Sequence, residues 1–310
     1  MTRIALATCS ALPNLSPDDA PLVEAIASRG PEVEAVVWDD AAVDWSRYDL
    51  VVIRSTWDYA QRPAAFLAWT ERVQAVTELA NSFPVVRWNT DKHYLRELEA
   101  AGVPVVPTIW LEPEQHLTSR ALHTRFPANG DFVIKPAVSA GSFDTGRYTA
   151  IDAGSRGLAI QHAKRLLEAG RTVMVQRYLK SVDTVGERAH VFVLGEYSHS
   201  VLKGAGLDGP DVGVDGMYKE ERMSRITASD VEIEASRHVI RTARSLLTGD
   251  GVGVEAEQFL YARVDLVSGD DDEPVLIELE MVEPSLFMAL SDHGLDRFAD
   301  AIAARAGRTA

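Results

Sequence analysis

The side chains best placed to do chemistry lie between Phe259 and Pro284, where FLYARVDLV and PVLIELEMVEP flank the loop SGDDDE. Two runs rich in aliphatic and aromatic residues around a Gly/Asp cluster predict a β-hairpin. Side chains alternate along a strand, so its two faces can be sorted. Leu260, Ala262, Val264 and Leu266, with Val275, Ile277, Leu279 and Met281, form a wholly apolar face that must be core. The other face carries Tyr261, Arg263, Asp265 and Val267, with Leu276, Glu278, Glu280 and Val282. Counting outward from Asp271 and Asp272 sets Asp265 opposite Glu278 and Arg263 opposite Glu280. Like charges in direct opposition destabilise a sheet, so three carboxylates gathered here need a counter-charge. One reading is a solvated face with a single Arg–Glu pair. The other is a floor for divalent cations, because Mg²⁺ takes a few hard carboxylate oxygens when substrate phosphates complete its shell.

Cations at strand ends supply a second signal. Asp131–Pro136 reads as a strand with Lys135 near its end, running into the small-residue loop Ala137–Gly146. Small residues let backbone N–H groups turn towards an anion, and lysine adds a point charge for phosphate. The spacing is not G-x-x-x-x-G-K-[ST], which excludes a P-loop NTPase. Lys92 opens a helix, where a cation sits mildly against the helix dipole; a plain surface lysine is the alternative. Arg54-Ser55-Thr56-Trp57-Asp58-Tyr59 stands at the carboxyl end of a strand, where open α/β sheets bind ligands. It reads either as a substrate loop or as an Asp-capped lead into the next helix.

The elements that must position these groups follow in order. Ile4–Thr8, Val33–Trp38 and Leu50–Arg54 read as strands. A helix capped by Ser16, with Pro17 first and acids in its opening turn, runs to Gly30. That pattern predicts a parallel sheet of the dinucleotide-fold type, but no G-x-G-x-x-G follows the first strand to clamp a pyrophosphate. A helix over Phe66–Leu79, a strand over Pro84–Trp88 and a helix over Asn89–Ala101 come next. Val105–Leu111, Val173–Leu179, Ala189–Leu194 and Tyr197–Lys203 are further strands, and Ile160–Ala169, Ala228–Leu247 and Leu295–Ala306 further helices. The glycine-rich run Gly204–Gly216 is expected to act as a lid. The fold class is α/β, turning α+β towards the C-terminus, in three parts: residues 1–88, 89–178 and 179–310.

At 310 residues with 46% hydrophobic and 25% charged content, the chain has the composition of an ordinary soluble globular protein. A formal charge of −15 disfavours a nucleic-acid partner. The single cysteine, Cys9, rules out an internal disulfide and suits a reducing compartment. No leader pattern opens the sequence and no apolar run reaches spanning length, so the expectation is a cytoplasmic protein that binds no membrane.

Taken together, Lys92, Lys135 with its loop, Gln176-Arg177-Tyr178-Leu179, Glu187-Arg188, Lys203, Arg263-x-Asp265 and Glu278-x-Glu280 form an ordered set. That set resembles the ATP-grasp superfamily of carboxylate–amine ligases, closest to its glutathione-synthetase-like branch, over roughly residues 89–284. The resemblance implies ATP and Mg²⁺, two ions, as cofactors and a small amino-acid-like substrate. Lys92 and Lys135 would contact the ATP phosphates, with Gly141 and Ser142 in the covering loop. Gln176, Tyr178 and Leu179 would border adenine, and either Asp183 or Glu187 would bind ribose. Arg188, Lys203 and Arg263 would face the transferred phosphoryl group. Asp265, Glu278 and Glu280 match the family's metal ligands, although the third is usually Asn. Arg54, Ser55, Thr56, Trp57 and Asp58, with the tryptophans before them and Glu283-Pro284-Ser285 after the metal strand, look like the ring-closing group that turns O-ureido-D-serine into D-cycloserine. An intermolecular peptide or amide ligase and a non-catalytic ATP-binding protein are the alternatives. A metal-dependent hydrolase fits poorly, because His190, His199 and His293 are scattered. Dimers are common for this kind of fold, so a homodimer is a possible state.

Overall fold

Short apolar strands alternating with helices in the first part of the chain fold as that pattern demands. The computed structural model describes residues 1–204, 206–207, 209–211, 222–249 and 259–307. In it, β1 (Arg3–Thr8), β2 (Glu32–Val37), β3 (Leu50–Ser55) and β4 (Glu78–Ala80) form a parallel sheet of order β2-β1-β3-β4. Helix α1 (Pro21–Ala27) starts at Pro21, not Pro17. Residues 16–20 form a turn instead, in which Ser16 Oγ accepts the Asp19 amide at 3.2 Å and Asp19 is drawn away by Arg54. Helix α2 (Pro63–Gln74) stops before Leu79, which releases β4 as an edge strand.

The run Pro84–Trp88 is not a strand. It belongs to α3 (Phe83–Asn89), where proline in the first turn is pre-organised for a helix and Val85, Val86 and Asn89 point inward at helical spacing. Helix α4 (Tyr94–Ala100) follows, and the turn between the two carries Lys92.

A second sheet, antiparallel and of order β5-β8-β6-β7, holds β5 (Thr108–Leu111), β6 (Asp131–Pro136), β7 (Gly146–Thr149) and β8 (Val173–Arg177). Helices α5 (Ser119–Arg125) and α6 (Ala153–Glu168) cover it through Leu122, Phe132, Ile134, Ala163 and Leu166. Helix α6 opens well before Ile160 because Asp152 caps it, accepting the Ser155 amide at 2.6 Å.

After the short α7 (Ser181–Thr184) come β9 (Glu187–Val193), β10 (Glu196–Lys203), β11 (Met223–Ile226), α8 (Asp230–Gly249), β12 (Tyr261–Ser268), β13 (Pro274–Glu280) and α9 (Gly294–Ala306). The strands form a third sheet of order β11-β10-β9-β12-β13, and α9 packs beside α1 against the first sheet. Of the expected lid at Gly204–Gly216, residues 205, 208 and 212–216 lie outside the described residues. Among the described residues no helix is long and apolar enough to cross a membrane.

The hairpin pairs Asp265 with Glu278 and Arg263 with Glu280, as its alternation predicts. Its turn end departs from the prediction. A β-bulge after Asp265 sets Leu266 opposite Leu276, so Leu276 enters the core while Ile277 packs with Val267 and Leu179. The other end is stapled from outside the sheet. Asn81 Nδ2 donates to Tyr261 O and Met281 O at 2.9 and 2.8 Å, and Asn89 Nδ2 donates to Leu279 O at 2.8 Å while its Oδ1 accepts the Met281 amide at 2.7 Å. Tyr261, expected on the polar face, is fully buried, and its hydroxyl lies 2.8 Å from Val282 O and 3.0 Å from Ile53 O.

Candidate active site

A cavity of about 680 Å³ opens where the three sheets meet, and the acidic face of the β12–β13 hairpin is part of its wall. Alternation along β13 aims Glu278 and Glu280 into it, each about one-quarter exposed. Lys92 reaches in from the α3–α4 turn, its Nζ 3.1 Å from Glu278 Oε1 and 3.1 Å from Ser139 O. The Lys92 amide also donates to Ala137 O at 3.0 Å, so one residue ties the loop after β6 to the hairpin. Arg263 donates to both oxygens of Asp265 at 2.8 Å, to Glu280, and to Ser285 O at 3.0 Å. Lys203, at the end of β10, contacts Glu187 and lies 3.2 Å from Asp265.

Lys135 differs from these. It is buried at the end of β6, lines the cavity, and among the described residues has no carboxylate within 4 Å. Burial lowers its ammonium pKa, and Glu278 only partly offsets the effect. A desolvated cation without an anion at a cavity wall suits an anionic ligand.

The acids divide by surroundings. Burial pushes Glu187 and Glu280 up to about 7 and Glu283 up to about 8. Burial acts on Glu278 and Asp265 in the same sense, but Lys92 and Lys135 hold Glu278 below its usual range and Arg263 does the same for Asp265. Asp265 and Glu187 share Lys203, and the proton belongs on Glu187 because Asp265 has the guanidinium as well. Carboxylates crowded enough to retain protons near neutrality are a site short of positive charge. Hard oxygen donors on β13 fit Mg²⁺ in kind. The ligand atoms of Asp265, Glu278 and Glu280 do not all lie within 4.8 Å of one another; Arg263 bridges Asp265 and Glu280, and Lys92 holds Glu278. Among the described residues the group that close is Asp144, His162 and Asp211, whose carboxylates are paired with Arg165 and Arg171.

Beyond the lysines, Val106, Leu179, Val182, Val267 and Ile277 make an apolar slot. Gln176 and Tyr178 border it, with Gln176 Nε2 donating to Thr108 Oγ1 at 2.8 Å and Arg147 stacked 3.7 Å from the Tyr178 ring centre. Gly141, Ser142 and Asp144 all hold left-handed backbone, bending the loop over the cavity mouth.

Several expected residues stand elsewhere. Arg188 points to the far side of β9, where it donates to Glu232 on α8 at 2.6 Å, because strand alternation gives that face to its neighbour Glu187. Asp183 is held outside the cavity by Arg147 and the Tyr178 hydroxyl, so of the two ribose candidates Glu187 is the one on the wall. Asp265 is fully buried behind the floor. Arg54 is fully buried as well, donating to Asp19 at 2.8 Å and Pro284 O at 2.7 Å between the rings of Tyr261 and Phe298. Ser55 donates to Asp19, Thr56 is fully buried, and Asp58 accepts from Trp38 and Arg62. Of that segment Trp57 and Tyr59 line the cavity, joined by Asp18, Glu283 and Phe287, none of which was an expected site residue. Glu283 lies three residues past the end of β13 and off the alternation that carries Glu278 and Glu280, so no periodic signal marks it.

The family model for the N-terminal domain of D-cycloserine synthetase DcsG matches residues 4–81. Over 98% of its length the chain is 38% identical to the cycloserine biosynthesis protein DcsG of Streptomyces lavendulae, covering 99% of that protein. The chain belongs to the DcsG family. The crystal structure of D-cycloserine synthetase DcsG, 36% identical, superposes with a TM-score of 0.87 over 98% of this chain and 99% of that one. An ATP-grasp RimK domain protein from Sphaerobacter thermophilus, 17% identical with a TM-score of 0.66 over 98% of each chain, shares the fold. The DcsG-family chain thus has the ATP-grasp architecture that the order of its lysines and carboxylates implied, with the family's parallel sheet in front of it.

Proposed function

We propose that this DcsG-family chain is an ADP-forming carbon–nitrogen ligase that activates the carboxylate of O-ureido-D-serine with ATP and closes it to D-cycloserine. The observation that carries the reading is Lys135, a buried cation with no carboxylate within 4 Å among the described residues, facing Glu278 and Glu280 across one cavity. Lys92 and Lys135 hold the phosphates, and the slot between Val106 and Ile277 takes the adenine. Glu278 and Glu280, with Asp265 behind them, would hold two Mg²⁺ ions. Bound there, the metal would neutralise phosphate charge and orient the substrate. The names of the relatives support the substrate class.

A carboxylate attacking a phosphate brings anion to anion, so catalysis is mostly positioning and charge neutralisation. Lys135, Lys203 and Arg263 supply the protein's share of the cationic charge. The carboxylate oxygen attacks the γ-phosphorus, ADP leaves, and a nitrogen of the same molecule then attacks the acyl phosphate and expels phosphate. Water would destroy that intermediate, and the loop Ser139–Thr145 is the cover that keeps it out. ADP release on mixing the protein with ATP, Mg²⁺ and O-ureido-D-serine, with D-cycloserine as product, is the test. Turnover only with two separate amino acids would replace ring closure by intermolecular ligation, and ATP binding without turnover on any of them would end the ligase reading.

A further inference from the structure

Among the described residues four glutamates line the cavity, and three have a cation within 4 Å: Glu187 with Lys203, Glu278 with Lys92 and Glu280 with Arg263. The fourth does not. Glu283 is 9% exposed, and among the described residues no Lys or Arg nitrogen lies within 4 Å of it. Its main chain is fixed by Trp57, whose Nε1 donates to Glu283 O at 3.0 Å, and Tyr59 presents a neutral hydroxyl to its carboxylate. The nearby acid on the wall, Asp18, accepts the Phe287 amide at 2.8 Å and likewise has no cation that close. Trp57, Tyr59 and Phe287 add aromatic surface.

A buried carboxylate costs several kcal/mol unless a counter-charge meets it. The protein supplies that charge to every other glutamate of the wall, and here leaves it to a ligand. We propose that Glu283 is the specificity residue for the substrate's primary ammonium, so that this end of the cavity selects an α-amino acid over the same acid without its amine. The assignment rests on the ligase reading for which molecule arrives, and on the cavity alone for the charge it must carry. Burial keeps the empty carboxyl protonated up to about pH 8, which agrees with a group that ionises when its partner docks. Aromatic faces beside it favour a cation further.

Calorimetric titration of the full chain, loaded with a non-hydrolysable ATP analogue and Mg²⁺, tests the subsite with O-ureido-D-serine and its desamino analogue. Wild type is expected to bind the amine at least tenfold more tightly, Glu283→Gln to narrow that ratio to within about threefold, and Glu283→Asp to restore most of it, with nucleotide affinity unchanged throughout. A ratio preserved in Glu283→Gln, a parallel loss of both ligands and nucleotide, or wild-type binding of neither ligand overturns the proposal. Turnover is read separately: a preserved ammonium preference without ADP release would sink the ligase reading and leave the subsite standing.

Discussion

Lys92 Nζ lies 3.1 Å from Oε1 of Glu278, joining the α3–α4 turn to the floor of the cavity across a gap in sequence of nearly two hundred residues. Glu278→Gln keeps the shape and removes the charge. The role of Glu278 in the proposed site is to hold Mg²⁺ against the phosphates, so the change should lower turnover by about 10²–10³ through lost metal-borne charge stabilisation, and a coupled ADP assay reads it. The same change leaves a buried lysine unpaired, and since Glu278 is partly solvated the stability loss should be about 2 kcal/mol by urea unfolding.

Lys135 should behave in the opposite sense. It is buried without a carboxylate within 4 Å among the described residues. Lys135→Met removes a desolvated charge, so the empty protein should unfold at equal or higher urea concentration, by about 1 kcal/mol. Nucleotide affinity, measured by titration with ATP analogue, should fall tenfold or more.

Arg54 gives a contrasting outcome. Its guanidinium spans Asp19 and the carbonyl of Pro284, both inside the protein. Arg54→Leu leaves Asp19 buried and unpaired, at about 3–5 kcal/mol. The variant should melt early yet bind nucleotide normally at temperatures where it stays folded. A selective loss of substrate affinity at full stability would instead return Arg54 to the substrate.

His190 predicts a pH dependence. It is fully buried, its Nδ1 pairs with Ser200 Oγ at 2.8 Å, and burial lowers its pKa to about 4. Between that value and about 6.5, the usual unfolded value, the unfolded chain binds the proton and the folded chain does not. The stability this provides is complete above about pH 6.5 and is lost as pH falls towards 4, by about 3 kcal/mol. Chemical unfolding at pH 7 and pH 4.5 should show the drop in wild type and a smaller one in His190→Gln.

What could be read from sequence divides by the range of the interaction. That Asp265 shares a face with Glu278 was legible because strand alternation is local; the bulge between that pair and the turn was not, since nothing in the local pattern marks it. The order of Lys92, Lys135 and Lys203 was legible because each lies beside local signals, Lys135 and Lys203 at strand ends and Lys92 at a helix start, although the expected helix over Asn89–Ala101 is broken and Lys92 sits in the turn before α4. Arg54 was not. Whether an arginine at a strand end meets a ligand or a buried aspartate depends on Asp19, 35 residues away and held by a turn that the Ser16-Pro17 cap signal disguised as a helix. Arg188 shows a smaller error, since two adjacent charged residues on one strand cannot both face the cavity. Pro84–Trp88 misled because β-branched residues weigh towards strand, whereas proline in a first turn and packing on two sides decide for helix.

The bulge after Asp265 separates the hairpin into two independently governed halves. At the far half, the aim of the carboxylates is inherited from Asn81 and Asn89, two amides belonging to other parts of the chain, and not from the tip at Asp271 and Asp272. Lengthening or shortening the tip should therefore disturb the tip alone, whereas an alanine at either asparagine would loosen the floor from the end where no turn can hold it.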